Sequence, residues 1–245
     1  MESDEWRLRA DLAAVFRVCA RLGWNEQIGN HHSLMLPRTR DDDPPQFLVN
    51  PRGLLFQEIT ASSLIVCDLD GRVLRGQGEL RRVAFHIHAR IHMRNPAATC
   101  VLHVHPQYLT ALSMLEAPEF ALAHTNNLYL NDRMVVDNDG GQPVLDNEEG
   151  DRIADLLGDA TILVMGGHGV TTVGPTVEEA FDELHSAERT CMYQMTAMAT
   201  GQPLRRLPEQ LRNRDRKRRA LRSDARLFLD AWRRVLDREE PDYAT

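Results

Sequence analysis

The 245-residue chain carries 29 Lys and Arg against 36 Asp and Glu, a formal charge of −7, with 42% hydrophobic and 27% charged residues. That balance belongs to a folded globular protein and excludes disordered and fibrous classes, and no apolar run approaches the roughly 18 residues of a membrane span. Lys217 is the only lysine, set among Arg214, Asp215, Arg216, Arg218 and Arg219, so a Schiff base on a desolvated lysine amine is not the expected chemistry.

The start of the chain, Met1 to Glu5, is acidic and lacks the basic, then apolar, pattern of a signal peptide. Cys19, Cys67, Cys100 and Cys191 are widely spaced among apolar neighbours with no CxxC, which points to buried free thiols and a cytoplasmic location. From Trp6 to Leu22 the apolar residues Leu8, Leu12, Val15, Phe16 and Cys19 recur at three and four. This predicts an amphipathic helix, capped by Ser3 or Asp4 and stopped by Gly23. Gly29-Asn30-His31-His32-Ser33 leads into a strand at Leu34 to Leu36, the polar stretch Arg38 to Pro45 is a hairpin loop, and Phe47 to Asn50 is the returning strand. Ile65 to Leu74 reads as a second hairpin that turns at Asp70-Gly71.

Helix and strand then alternate. A helix over Val83 to His92 breaks at Asn95-Pro96, a buried strand runs from Cys100 to His105, and a helix over Tyr108 to Leu115 follows Pro106. Strands at Arg133 to Val136 and Thr161 to Met165 flank a helix over Glu148 to Leu157. Thr176, with Glu179 three residues on, reads as a capping box opening the longest helix, which runs past Met198 to Gly201-Gln202-Pro203. The pattern is a mixed α/β domain over residues 1–205 with much antiparallel sheet, then a basic link and helical tail over residues 206–245, the last helix lying around Leu227 to Leu236. With a net charge of −7, the run Arg212 to Arg219 reads as a solvated face or subunit contact rather than a nucleic-acid site.

Histidine placement carries the chemical signal. In Val101-Leu102-His103-Val104-His105-Pro106 the two histidines are two apart on a strand and share a face. Met165-Gly166-Gly167-His168-Gly169 ends a strand in glycines that let the backbone approach closely and aim one side chain. Three neutral imidazoles suit Zn²⁺, Fe²⁺, Co²⁺ or Mn²⁺ and leave positions open for a substrate, although HxH alone also fits packed core histidines.

The run Phe47 to Leu64, then Cys67-Asp68-Leu69-Asp70-Gly71, the helix with His88 and His92, Val101 to Pro106 and Gly167-His168-Gly169 together resemble the class II aldolase/adducin superfamily, closest to its adducin-like branch. The resemblance spans about residues 8 to 200. It implies a three-layer α/β/α sandwich with a central, mainly antiparallel sheet, and a homotetramer whose active sites lie between subunits. It implies metal binding by His103, His105 and His168, with zinc first and Fe(II), Mn or Co as alternatives. Gly29 and Asn30 match the family's Gly-Asn anion loop, and Arg52 and Gly53 fall where its enzymes place a small hydroxylated residue and glycine. Arginine there departs from the pattern and offers a bidentate carboxylate clamp. A tyrosine near the chain end, Tyr243, resembles a tail residue that reaches a neighbour's site.

The family's aldolases carry a catalytic Glu in a Pro-Ser-Ser-Glu element, which is absent here; its position falls near Ala84. Glu79 and His31 are the remaining candidates for proton transfer. His32 reads as structural, His88 and His92 as packing near the site, and His124 as a possible pocket residue. The resemblance implies a metal-dependent lyase, aldol-type or decarboxylating, acting on a small oxygenated carboxylic acid or a sugar-derived substrate. A non-heme Fe(II) oxygenase or oxidative decarboxylase and a non-catalytic adducin-like scaffold are the alternatives, and neither nucleic acid nor membrane is an expected partner.

Overall fold

The computed structural model describes residues 2–40, 42–121, 123–125, 128–139, 144–208, 210–211 and 224–245. Arg212 to Arg219, with Lys217, and Asn126-Asn127 beside His124 lie outside the described residues.

Helix α1 spans Glu2–Arg21. It starts before both expected caps, so Ser3 and Asp4 lie within its first turn. Its end follows the prediction: Gly23 takes φ +69°, its N–H donates to Ala20 O, and the Trp24 N–H donates to Cys19 O. That is the Schellman pattern, in which a left-handed glycine closes the last turn. Strand β1 covers His31–Met35 and β2 Gln46–Val49. The first strand begins three residues earlier than the apolar pattern suggested because His31, His32 and Ser33 are themselves buried. Strands β3 (Ile65–Asp68) and β4 (Val73–Arg75) form the second hairpin, in which Asp68 Oδ1 accepts from the N–H groups of Asp70 and Arg72.

Helix α2 is Arg82–Arg94, β5 Cys100–Val104, α3 Gln107–Ser113 and β6 Met134–Asp137. Helix α4 is Asn147–Leu157, and the Asp146 side chain accepts from Glu149 N at its start. Strands β7 (Ile162–Met165) and β8 (Gly169–Gly174) form a tight hairpin. The sequence reading missed β8, because Gly-Val-Thr-Thr-Val-Gly lacks an apolar/polar alternation when both of its faces are buried. Helix α5 is Val177–Met198, where Thr176 Oγ1 accepts from Glu179 N, the forward half of the expected box. Helix α6 is Asp224–Glu239, and a short 3₁₀ turn follows over Pro241–Ala244.

The eight strands form one sheet in the order β4-β3-β2-β1-β5-β8-β7-β6, antiparallel except for the β6–β7 pair. On one face Leu34, Leu48, Leu102, Val104 and Val164 pack against Phe16 of α1, Leu112 of α3, Phe181 of α5 and Leu229 of α6. On the other, Val101, Leu163 and Val173 pack against Ile87 and Ile91 of α2 and Ile153 of α4. This is the three-layer α/β/α sandwich with a mainly antiparallel sheet. Helices α2 and α4 cross closely at Gly150, where a Cβ would lie 2.3 Å from His86 O. All four cysteines are buried and free. Among the described residues no helix is long and apolar enough to cross a membrane.

Alternation along two strands places the chemistry. In β5, Leu102 and Val104 face the α1 side, so His103 faces the α2 side. In β1, His31 stands directly opposite His103 in the antiparallel register and Ser33 opposite Val101.

Candidate metal centre

His103 lies in β5, His105 one residue past its end, and His168 in the turn between β7 and β8. Because β8 pairs with β5, that turn is brought over the end of β5. The three ligand nitrogens lie within 4.8 Å of one another, the one such group among the described residues, with His103 buried, His105 half-buried and His168 exposed. An ion held there would keep an open side.

Two of the imidazoles are oriented from behind. His105 Nδ1 lies 2.7 Å from Glu26 Oε2, and a carboxylate only accepts, so Nδ1 carries the proton and Nε2 the lone pair. His103 Nδ1 lies 3.1 Å from Thr171 Oγ1, which is itself 3.7 Å from Met165 Sδ. In the tautomer that donates from Nδ1 to Thr171 Oγ1, His103 also has its lone pair on Nε2. The two Nε2 atoms face each other at 3.3 Å. Two opposed lone pairs repel unless a cation lies between them, and tetrahedral zinc with Zn–N of about 2.0–2.1 Å sets its nitrogens about 3.3 Å apart. The donor set fits a divalent ion. Burial first, then the neighbouring His168 and His105, holds His103 well below the usual imidazole value, and burial followed by His105 lowers His168. Neutral rings are the ligating form.

The glycines around His168 are steric necessities. A Cβ on Gly169 would sit 2.4 Å from His105 Cδ2 and 2.8 Å from Val104 O, and one on Gly166 2.9 Å from Asp137 O. Gly167 takes φ +63° and donates its N–H to Ser113 O. On the other flank, Trp24 O accepts from His105 N, and Glu26 N donates to Asn30 Oδ1 at 2.5 Å. The segment from Trp24 to Asn30 thus ties His105 to the Gly-Asn loop. Gln27 in this segment is the only non-glycine residue with positive φ, at 49°, among the described residues. Sequence reasoning missed Glu26; an acidic residue a few positions before Gly-Asn is a signal only once β5 is known to end beside that loop.

Asn30 is buried, and its Nδ2 has no hydrogen-bond partner. Asn50 braces it, donating to Asn30 O and accepting from His32 N. Gly29 N donates to Glu26 O. His31 is also buried, its ring stacked on that of His103 with centroids 4.8 Å apart. Burial above all, then His103 and His88, lowers its pKa well below 6.5. His32 packs instead against Phe16 on the opposite face, and burial brings it down to about 3. His88 and His92 do more than pack, since His88 Nε2 is 2.7 Å from His31 Nδ1.

Arg52 and Glu79 are brought to each other. Arg52 N donates to Glu79 O, and their exposed side chains form an ion pair at 3.8 Å. Gly53 beside them takes φ +97°. The Glu79 carboxylate is 81% exposed and is not part of the histidine group. The His124 ring packs at a tilt against Tyr193 of α5, with centroids 4.9 Å apart. Tyr243 does not extend toward a neighbour: it is fully buried in its own chain, its hydroxyl donating to Asp237 Oδ1 and accepting from Arg233 Nε. The cause is local, since Arg17 and Arg21 of α1 hold the carboxylates of Glu239, Glu240 and Asp242 and draw the tail inward.

The α/β/α sandwich thus brings three imidazoles together beside the end of β5, a donor set able to hold a divalent ion. The chain belongs to the class II aldolase and adducin family: the family model described as "Class II Aldolase and Adducin N-terminal domain" matches residues 10–195. A Caulobacter vibrioides protein named provisionally as a class 2 aldolase is 34% identical over 98% of this chain and 93% of its own. Mouse alpha-adducin is 31% identical over 82% of this chain but only 27% of its own length. The crystal structure of an aldolase II superfamily protein from Pseudomonas syringae superposes with a TM-score of 0.89 at 28% identity, covering 98% of this chain and 96% of that one.

Proposed function

We propose that the chain is a divalent-metal-dependent lyase that cleaves a carbon–carbon bond, by aldol-type or decarboxylating chemistry, in a small oxygenated carboxylic acid or sugar-derived substrate. The observation that carries this reading is the convergence of the three imidazoles, with the Nε2 atoms of His103 and His105 facing each other at 3.3 Å and each of those rings held by a contact at its Nδ1. His103, His105 and His168 would hold the ion, zinc being the first choice for three imidazoles. Once bound it supplies a Lewis acid for a substrate carbonyl or carboxylate.

The remaining work falls to the chain's own residues. Asn30 offers its unpartnered Nδ2–H donor to a substrate oxygen, with Gly29 holding the loop that presents it. Arg52 and Gly53 take the anionic end, where a guanidinium can bind a carboxylate through two parallel hydrogen bonds. His31, buried against His103, accepts the proton of a substrate hydroxyl. It is assigned this role ahead of Glu79, whose carboxylate is exposed and paired with Arg52. A homotetramer with walls from neighbouring subunits would close the open side beside His168, and light scattering on the purified protein reads its mass.

Elemental analysis of anaerobically purified protein tests the reading. Near-stoichiometric metal is expected in the wild type and its loss in a folded His103→Ala variant. A metal-free wild type, or full occupancy in the variant, overturns it. The adducin likeness favours a second reading, a non-catalytic scaffold, which predicts no metal and no turnover of oxo- or hydroxy-acids. Iron together with turnover that requires O₂ would instead select the oxygenase.

A further inference from the structure

We propose that Ser33, His88 and His92 form a one-way hydrogen-bond chain that fixes His31 as its Nδ1–H tautomer and so keeps its Nε2 a proton acceptor beside His103. The inference deepens the role given to His31 and rests on that reading; Ser33, His88 and His92 act through it as positioning residues.

The direction is set at the far end. His92 Nδ1 lies 2.8 Å from the Ala98 carbonyl oxygen, which can only accept, so Nδ1 carries a proton. His92 is buried, and burial holds it down to about 4, so at neutral pH its Nε2 is a lone pair. Ser33 Oγ lies 2.8 Å from that Nε2 and must donate to it. A hydroxyl has one hydrogen, so toward its other partner, His88 Nδ1, the same oxygen accepts. His88 is fully buried and lowered by desolvation, hence also singly protonated, and its Nε2 is a lone pair. His31 Nδ1, at 2.7 Å from that Nε2, is left no choice but to donate. A ring carrying one proton at Nδ1 has its lone pair at Nε2.

None of these groups is a member of the metal-ligand set. Three imidazoles and a hydroxyl between sheet and helix are expensive to bury, and apolar side chains would fill the same space without the risk of an unpaired group. What the polar chain adds is orientation. A proton taken up at Nε2 turns His31 into an imidazolium whose Nδ1–H still donates to His88, so no bond in the chain has to reverse.

The test is long-range ¹⁵N–¹H NMR on the full chain, ¹⁵N-labelled at histidine and freed of metal with chelator, which distinguishes protonated from bare ring nitrogens. The His31 signals are assigned by their loss in His31→Gln. Wild-type His31 is expected to be Nδ1-protonated. In His92→Phe the Ser33 hydroxyl keeps only His88 as partner and donates to it, so the chain reverses and His31 shifts toward Nε2–H. In Ser33→Ala the link is cut and both tautomers of His31 appear. A wild-type His31 protonated at Nε2 overturns the proposal, as does a His31 tautomer unchanged in both variants. If one variant does not fold, the wild-type spectrum and the other variant still decide. A protein without metal or turnover would defeat the lyase reading and leave these tautomers unchanged.

Discussion

The most informative residue outside the three candidate ligands is Glu26, because it decides which nitrogen of His105 is bare. Outer partners of this kind raise the basicity of a ligating histidine and hold its ring, and their loss weakens metal binding about 10–100-fold. Glu26→Ala is expected to lower zinc affinity by that factor, measured by competition with a chelating dye, while the fold stays intact. Gly169→Ala is expected to do more, since the new methyl would overlap both the His105 ring and the backbone oxygen of Val104. The buried histidines also set an acid limit. Those brought down to about 4 (His92) and about 3 (His32) are mostly neutral in the folded protein at pH 5, whereas the unfolded chain protonates near 6.5. Stability contributed by the neutral rings is present above pH 6.5 and is lost as pH falls below it. Urea midpoints at pH 7.5 and 5.0 check this, and the lower one is expected at pH 5.0.

At the scale of elements, the turn from β5 into α3 depends on α5. Glu188 accepts from Tyr108 N and Leu109 N, capping a helix that would otherwise begin with bare donors behind Pro106. Burial pushes this carboxyl up to about 7, and the two backbone donors only partly oppose it. Between the ordinary 4.5 and about 7 the folded protein keeps a proton that the unfolded chain has released. The contribution of Glu188 to stability therefore falls as pH rises across that window, opposite in sign to the histidines. The difference in unfolding free energy between wild type and Glu188→Gln, followed by urea titration from pH 4.5 to 7.5, is expected to shrink. Long-range caps such as this one were invisible in the sequence, because nothing local links position 188 to position 108. Local signals were legible: the Gly23 stop, the Thr176 cap and the Asp70-Gly71 turn all depend on neighbours within a few residues. The same contrast governs the site. HxH and the glycine-flanked His168 stand out in the sequence, whereas the link from His31 to His88 and on to His92 needs the β1–β5 register and the packing of α2, and neither follows from spacing.

For the whole molecule, the C-terminal segment belongs to the same core as the sheet. Leu229 and Leu236 of α6 lie in the main apolar cluster, and Phe228 stacks on Phe181 of α5 with centroids 5.4 Å apart. Past α6 the chain turns back along α1. Ala61 N donates to Tyr243 O and Ser62 N to Thr245 O, while buried Arg17 donates to Ile59 O and reaches Glu240 and Asp242. The tail thus clasps α1 to the segment that leads into β3. Tyr243→Ala would leave a cavity the size of an aromatic ring and two charged groups, Asp237 and Arg233, without their hydroxyl partner. Truncating a buried aromatic costs about 3–5 kcal/mol, whereas removing only the hydroxyl in Tyr243→Phe costs about 1–3 kcal/mol. Because the segment touched by the tail continues into the central sheet, the loss is expected in a single cooperative unfolding transition rather than as local fraying, and calorimetry separates the two. Metal content should be unchanged in folded Tyr243→Phe, since the tail makes its bonds with α1, α6 and residues 61–62 while the histidines draw theirs from Glu26 and Thr171. A fall in bound metal in that variant would show that tail and site are coupled through α1 and the loop that follows it.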